Sequence, residues 1–345
     1  MTGQCTQREH GPLAGVTVLE MAGIGPGPHA TMMLADMGAS VIRIDRPGGN
    51  GWPNPVADRG RIVEEFDLRS AEGKARCLQL VDTADVIVEG FRPGVMERLG
   101  LGPDALCVRN PALIYARMTG WGQDGPLAKT AGHDINYIAL TGALAALGDD
   151  DAPPRPPLNL VGDFGGGSTF LVMGVLAALF ERTRTGKGQV IDAAIVDGAA
   201  SLMSFFAGLL PSGGISLDWK ESVLGGAAPF YRCYRCAGGR DVAIGAIEPQ
   251  FYRELIERIG APEALLERQN EKAHWPADSN LLAGIFATRT REEWCALLEG
   301  TDACFAPVLT LEEAAKHPHN NARAQYARLD GVLHAAPAPR FSSTG

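Results

Sequence analysis

The chain has 345 residues, 46% of them hydrophobic and 21% charged, enough for a large core and more than one domain. A net charge of −9 argues against a general nucleic-acid binder, although a few local arginines could still hold a phosphorylated ligand. The 43 glycines announce many tight turns or close backbone approaches.

The N-terminus MTGQCTQREHGPLAG is polar and lacks the apolar core of a secretory leader, so none is expected. Val16–Met21 (VTVLEM) reads as a strand, Gly23–Pro28 (GIGPGP) as a turn, Ala30–Met37 as a helix ending at Gly38, and Val41–Asp45 as a second strand. This βαβ unit predicts a parallel sheet and an α/β fold. Leu78–Val81 followed by Ala84–Glu89 (ADVIVE) repeats the helix-to-strand pattern, and Leu113–Met118 is a further strand. Asp149–Pro157 is a polar, proline-rich surface loop. Gly165–Arg182 reads as a buried helix, and 190–198 as a further strand or helix. Loop-rich Pro211–Gly226 is placed as a linker, giving a large domain over 1–210 with 325–345 and a small one over 227–324. In the small domain Phe230–Cys236 and Asp241–Gly245 flank Gly238–Gly239 as a hairpin, followed by helices at 250–259, 280–287 and 291–298. Ala336–Arg340 is a terminal extended arm.

No stretch reaches ~18 uninterrupted apolar residues, so no membrane span is expected. The seven cysteines (5, 77, 107, 233, 236, 295, 304) are scattered and odd in number, which suits free thiols in a reducing, cytoplasmic setting. Cys233 and Cys236 form a lone C-x-x-C with no second pair, so no metal is expected; His317 and His319 lack a third ligand.

Four local patterns carry chemistry. The GIGPGP turn sits where a dinucleotide fingerprint would, but Pro26 and Pro28 offer no N–H to a pyrophosphate and the spacing is wrong. Asp45–Arg46 ends a strand, where Arg46 is either a ribose-phosphate ligand or a solvated loop arginine. In Gly132-His133-Asp134-Ile135-Asn136-Tyr137 the histidine stands at a helix start whose free amides suit an oxyanion; it is either an acid/base or a cap. In Gly162-Asp163-Phe164-Gly165-Gly166-Gly167 the aspartate is either a second acid/base or the N-cap of a Ser168–Phe180 helix. Glu248, between a strand and a helix, is a helix N-terminal acid or the partner that orients an imidazole.

Together these motifs resemble the α-methylacyl-CoA racemases of the family III CoA-transferase superfamily, nearly end to end. The resemblance is carried by 11–47 (GPLAGVTVLEMAGIGPGPHATMMLADMGASVIRIDRP), VIVEGFRPGVMERLGLGPD (86–104), LIYARMTGWGQDGP (113–126), AGHDINY (131–137), NLVGDFGGGS (159–168), GKGQVIDAAIVDG (186–198), GAIEPQFY (245–252) and APAPRF (336–341). It implies a large Rossmann-like parallel-sheet domain plus a smaller α+β domain, in an interlocked homodimer. It implies 1,1-proton transfer on 2-methyl-branched acyl-CoA through an enolate, with no metal or redox cofactor, CoA being part of the substrate. It assigns His133 and Asp163 as the two bases, Glu248 beside His133, and the enolate oxygen at the helix start around Asp134. It places Arg46, Arg92, Arg98 and Gly132, Ile135, Asn136 and Tyr137 along the CoA cleft. A CoA-transferase or another CoA-thioester isomerase of the superfamily is the alternative. One departure is local: Arg61–Asp67 (RIVEEFD) carries an extra residue ahead of a family CoA contact near Asp67–Arg69.

Overall fold

A computed structural model describes residues 11–49, 53–148 and 152–342. Cys5 and the first residues of the loop expected at 149–157 lie outside the described residues. The chain folds as two units: one of residues 1–144, 156–204 and 322–345, the other of 145–155 and 205–321. The division falls at Ser204/Phe205, ahead of the linker expected at 211–226, and 145–155 joins the second unit.

The first unit begins with β1 (Thr17–Met21), α1 (Pro26–Asp36), β2 (Ser40–Asp45), β3 (Arg61–Glu65), α2 (Ala71–Val81) and β4 (Val86–Glu89). It continues with α3 (Val95–Arg98), α4 (Pro103–Arg109), β5 (Ile114–Thr119), α5 (Asp134–Leu140) and α6 (Ala143–Ala146). A π-helix (Leu160–Ser168) then runs straight into α7 (Thr169–Thr185), followed by β6 (Val190–Ala194) and α8 (Ile195–Leu202), and the chain passes into the second unit at the start of α9 (Ser204–Leu209). The six strands form one sheet, β3-β2-β1-β4-β5-β6, with every pairing parallel. Both faces are covered, which is why β1, β4 and β5 read as continuous apolar runs. Ile114, Ala116 and Met118 pack into the core with α1 and α7, whereas Leu113 and Tyr115 pack into the core with α2 to α4.

The observed bounds depart from the expected ones for physical reasons. α1 starts at Pro26 because proline, with no N–H to place and φ preset, fits a first helical turn; Gly25 at φ +72° turns the chain into it. β3 is a short, charged edge strand with Ile62 and Val63 exposed, so it leaves no alternating apolar signal. The runs Leu160–Thr185 and Ile195–Ser212 are apolar and long enough, by composition, to cross a membrane. The first buries Leu171, Val172, Val175 and Ala178 in the sheet core.

In the second unit an antiparallel sheet of β7 (Tyr231–Arg235), β8 (Asp241–Gly245) and β9 (Phe305–Pro307) packs with α10 (Pro249–Ile259), α11 (Ala264–Glu267), α12 (Trp275–Phe286) and α13 (Arg291–Leu298). Its core is aromatic: Phe230, Tyr234, Tyr252, Trp275, Phe286 and Trp294. After α14 (Leu311–Ala314) and α15 (Pro318–Ala322) the chain returns to the first unit, where β10 (Tyr326–Leu329) and β11 (Val332–Ala335) form a hairpin ahead of the expected arm.

Candidate active site

In a doubly wound sheet of this order the ligand crevice lies at the carboxyl ends of β1 and β4, where the strand order reverses. A cleft of about 500 Å³ opens there. Its walls are 21–28 after β1, 90–93 after β4, 118–121 at the end of β5, and 130–133 leading into α5, with Tyr137, Asp163 and Ile195.

His133 is the N-cap residue of α5, in extended backbone (φ −132°, ψ 173°). The Asn136 side-chain oxygen accepts its N–H at 3.0 Å, fixing the entry to the helix, and the imidazole is exposed. Behind it the buried Tyr137 donates its O–H to the Gly132 carbonyl, and Trp121 meets the Tyr137 ring edge-on at 4.8 Å.

Asp163 sits inside the π-helix and not at an N-cap, which overturns the capping alternative. Its carboxyl accepts from Asn159 Nδ2 at 3.1 Å, and its backbone N–H donates to Asp134 Oδ2 at 2.7 Å. Burial raises the Asp163 carboxyl above its ordinary value, while the Asn159 bond opposes the rise. Asp134 is buried and is not part of the cleft wall; its carboxyl reaches back to hold the π-helix. A Cβ on Gly162 would stand 2.4 Å from that carboxylate, so Gly162 makes room for Asp134. A Cβ on Gly198 of α8 would stand 1.9 Å from the Gly166 carbonyl. The glycines of GDFGGG thus serve close backbone packing. Ser168 closes the arrangement, donating to the Pro26 carbonyl at 3.0 Å and tying the π-helix to the first turn of α1.

Of the residues expected along the cleft, Arg92, Gly132 and Tyr137 line it with His133 and Asp163. Ile135 and Asn136 are exposed on α5, outside the wall. Arg46 is exposed, its Nε donating to the Gly49 carbonyl at 2.8 Å, and Arg98 ends α3; neither is in the wall. Asp67 and Arg69 form an exposed ion pair at 3.0 Å. Glu248 is the exposed N-cap residue of α10 in the second unit. Sequence reasoning missed Ile24, Met118, Trp121 and Ile195 as lining residues. The signal was their position at or just beyond strand ends, where this fold places ligands. A second cavity of about 710 Å³ lies beyond the turn and shares Gly23, Ile24, Gly25, Pro28 and Asp163 with the first, so the Asp163 carboxyl borders both. Among the described residues no three His, Cys, Asp or Glu side chains are grouped to share a metal; Cys233 is exposed and Cys236 buried.

Comparison with known proteins fits this geometry. α-Methylacyl-CoA racemase of Mus musculus is 47% identical over 334 residues, 96% of this chain and 87% of that protein. The Homo sapiens α-methylacyl-CoA racemase is 46% identical over 337 residues, again covering 96% and 87%. The crystal structure of a CaiB/BaiF family protein from Brucella suis superposes with a TM-score of 0.82 at 28% identity, covering 96% of this chain and 93% of that one. The pattern of CoA-transferase family III matches residues 13–344, and the chain belongs to that family.

Proposed function

We propose that this protein interconverts the two configurations at C2 of 2-methyl-branched acyl-CoA thioesters by 1,1-proton transfer through an enolate. The observation that carries the reading is an imidazole and a carboxyl, His133 and Asp163, lining one cleft in a chain 46–47% identical to two α-methylacyl-CoA racemases. The thioester acidifies the proton on C2. One of the two groups removes it, and the other, in its acid form, returns a proton to the opposite face. The raised Asp163 carboxyl favours the protonated form that a donor needs. The first amides of α5, which have no carbonyl four residues back, hold the enolate oxygen. Glu248 keeps the supporting role that the resemblance gives it: Glu248→Gln should displace the pH–rate profile, and an unmoved profile removes Glu248 from the reaction.

No metal or redox group takes part, and CoA enters as half of the substrate, with Arg46, Arg92 and Arg98 as the cations for its phosphates. The working form is a cytoplasmic homodimer that does not span a membrane. Met173 (56% exposed), Leu176 and Phe180 (67%) on α7, with Leu202 on α8, are the apolar surface that a second copy would cover.

The test is incubation of a 2-methylacyl-CoA of one configuration in deuterated water. α-Deuterium incorporation with appearance of the other configuration is the expected result. The second reading, a CoA-transferase, is favoured by the family and by the carboxylate facing the cleft, since that reaction needs an acyl–enzyme anhydride and an acceptor acid. Turnover only with an added acceptor, and no α-exchange, would select it.

A further inference from the structure

Two arginines proposed for the CoA phosphates, Arg92 and Arg98, lie on the segment that leaves β4 and forms α3. That segment is held at three points by side chains at the sheet. The buried Glu89 carboxylate accepts the Phe91 N–H at 2.8 Å, one residue before Arg92. Glu89 also accepts Arg117 Nε at 2.9 Å, and Arg117 Nη1 reaches Glu97 at 2.8 Å, one residue before Arg98. Two residues back along β5, on the same face, Tyr115 donates its O–H to the Leu101 carbonyl at 3.0 Å, beyond the end of α3. Arg117 and Tyr115 are both buried, and the guanidinium stands 5.9 Å from the centre of the Tyr115 ring.

One guanidinium therefore joins the strand end before Arg92 to the helix turn that carries Arg98. Its planar fork holds donors toward two carboxylates in one fixed geometry, which a compact ammonium on a flexible stem does not reproduce. Neither Arg117 nor Tyr115 is part of the cleft wall, so neither is a ligand.

We infer that Arg117 and Tyr115, two side chains on one face of β5, are positioning residues that set Arg92 and Arg98 for the phosphates of CoA. The inference rests on the proposed function for the ligand's identity, but its binding test does not need the racemase chemistry. In this arrangement β5 is a template: a rigid buried strand fixes the register of a surface segment whose charged side chains would otherwise spend their binding energy on becoming ordered.

The test uses the full chain and the variants Tyr115→Phe and Arg117→Lys, with calorimetric titration by CoA itself. Each variant should weaken CoA binding roughly three- to tenfold, the scale of one lost hydrogen bond to a carbonyl or a charged group. The preference for acyl-CoA over the matching acyl-pantetheine ester, which lacks the nucleotide phosphates, should fall by about the same factor, as KM and not kcat. Combined with Arg92→Ala and Arg98→Ala, neither substitution should weaken binding further, because the groups it positions are gone. CoA binding within twofold of the parent in both variants, or effects that simply add to those of the arginine substitutions, overturns the inference. A general loss of structure would instead lower kcat with both esters and depress the melting temperature; Tyr115→Phe, which keeps the ring in its core, is the variant that separates the two. If the parent binds CoA but exchanges no α-proton, the racemase reading fails while the calorimetric comparison still decides this one.

Discussion

His133 and Asp163 face one cleft from two very different pieces of backbone. His133 stands in extended chain ahead of a helix of seven residues, its N–H bonded to the Asn136 side chain and its carbonyl accepting from Asn136 and Tyr137 N–H, at an exposed position. Asp163 lies within nine residues of π-helix, half-buried, bonded through its carboxyl to Asn159 and through its backbone to Asp134. Burial raises the Asp163 carboxyl above its ordinary value. The lesson is that two side chains lining one cleft can be held in quite unlike surroundings, one at an exposed helix start and the other half-buried in a π-helix.

The largest effect that can break the comparison is kinetic. His133→Ala and Asp163→Ala should each lower racemisation by at least ~10²-fold, the usual scale for a lost acid/base group. The variants should differ in exchange. His133→Ala should still wash out the α-proton of the configuration whose C2–H faces Asp163, and Asp163→Ala that of the opposite one. Chiral analysis of the product together with deuterium content measures this. Both variants exchanging the same configuration would mean that the two groups do not work on opposite faces.

A second effect, smaller and structural, tests how Asp163 is held. Gly162→Ala would put a methyl 2.4 Å from Asp134 Oδ2, with the Ile138 side chain at 3.1 Å leaving no way out. Overpacking of this kind costs about 1–3 kcal/mol. The bond from Asp163 N–H to Asp134 should be displaced with it, so activity should fall with stability. Thermal melts and initial rates report the two together. A variant that is active and as stable as the parent would show that the π-helix does not depend on the Asp134 carboxylate.

The parallel sheet around this site was legible in the sequence because β1, β2, β4 and β5 are rich in β-branched and other apolar residues and end in, or are soon followed by, glycine, proline or charge. β3 was not, because a five-residue edge strand reading RIVEE has only one neighbour to satisfy. The motif around His133 announced itself through a histidine between glycine and aspartate at a helix start. The glycines around Asp163 were read as access for a substrate or a backbone, or as the approach to a cap. The structure uses them for backbone packing in a π-helix, whose period leaves no mark of its own in a sequence of glycines. The resemblance put the enolate oxygen at the helix start around Asp134. That its side chain turns inward to a residue 29 positions away is a long-range contact, and no local pattern encodes one. Arg46 and Arg98 show the same limit, since placement on a strand or helix end does not fix where a long side chain points.

The smallest effect is on stability, and its sign separates the two groups proposed to move the proton. The folded value of Asp163 lies above its ordinary value of 3.8, chiefly through burial. Folding therefore favours the protonated carboxyl. That contribution is whole below the ordinary aspartate range and is lost as pH rises through the folded value, so at neutral pH the ionised Asp163 is a cost. Asp163→Asn removes the charge and can still accept from Asn159 through its amide oxygen. At pH 7 the variant should melt at the same temperature as the parent or roughly 1–3 °C above it, a fraction of a kcal/mol for a chain of this size. The advantage should disappear near pH 3, where the parent's own carboxyl is protonated. His133→Ala, which empties a position already in water, should leave the melting temperature unchanged at either pH. Melting curves of the three proteins at both pH values decide the matter. If Asp163→Asn is less stable than the parent at pH 7 and recovers on acidification, the carboxylate is a stabilising anion, and the contrast between an exposed histidine and a half-buried carboxyl fails.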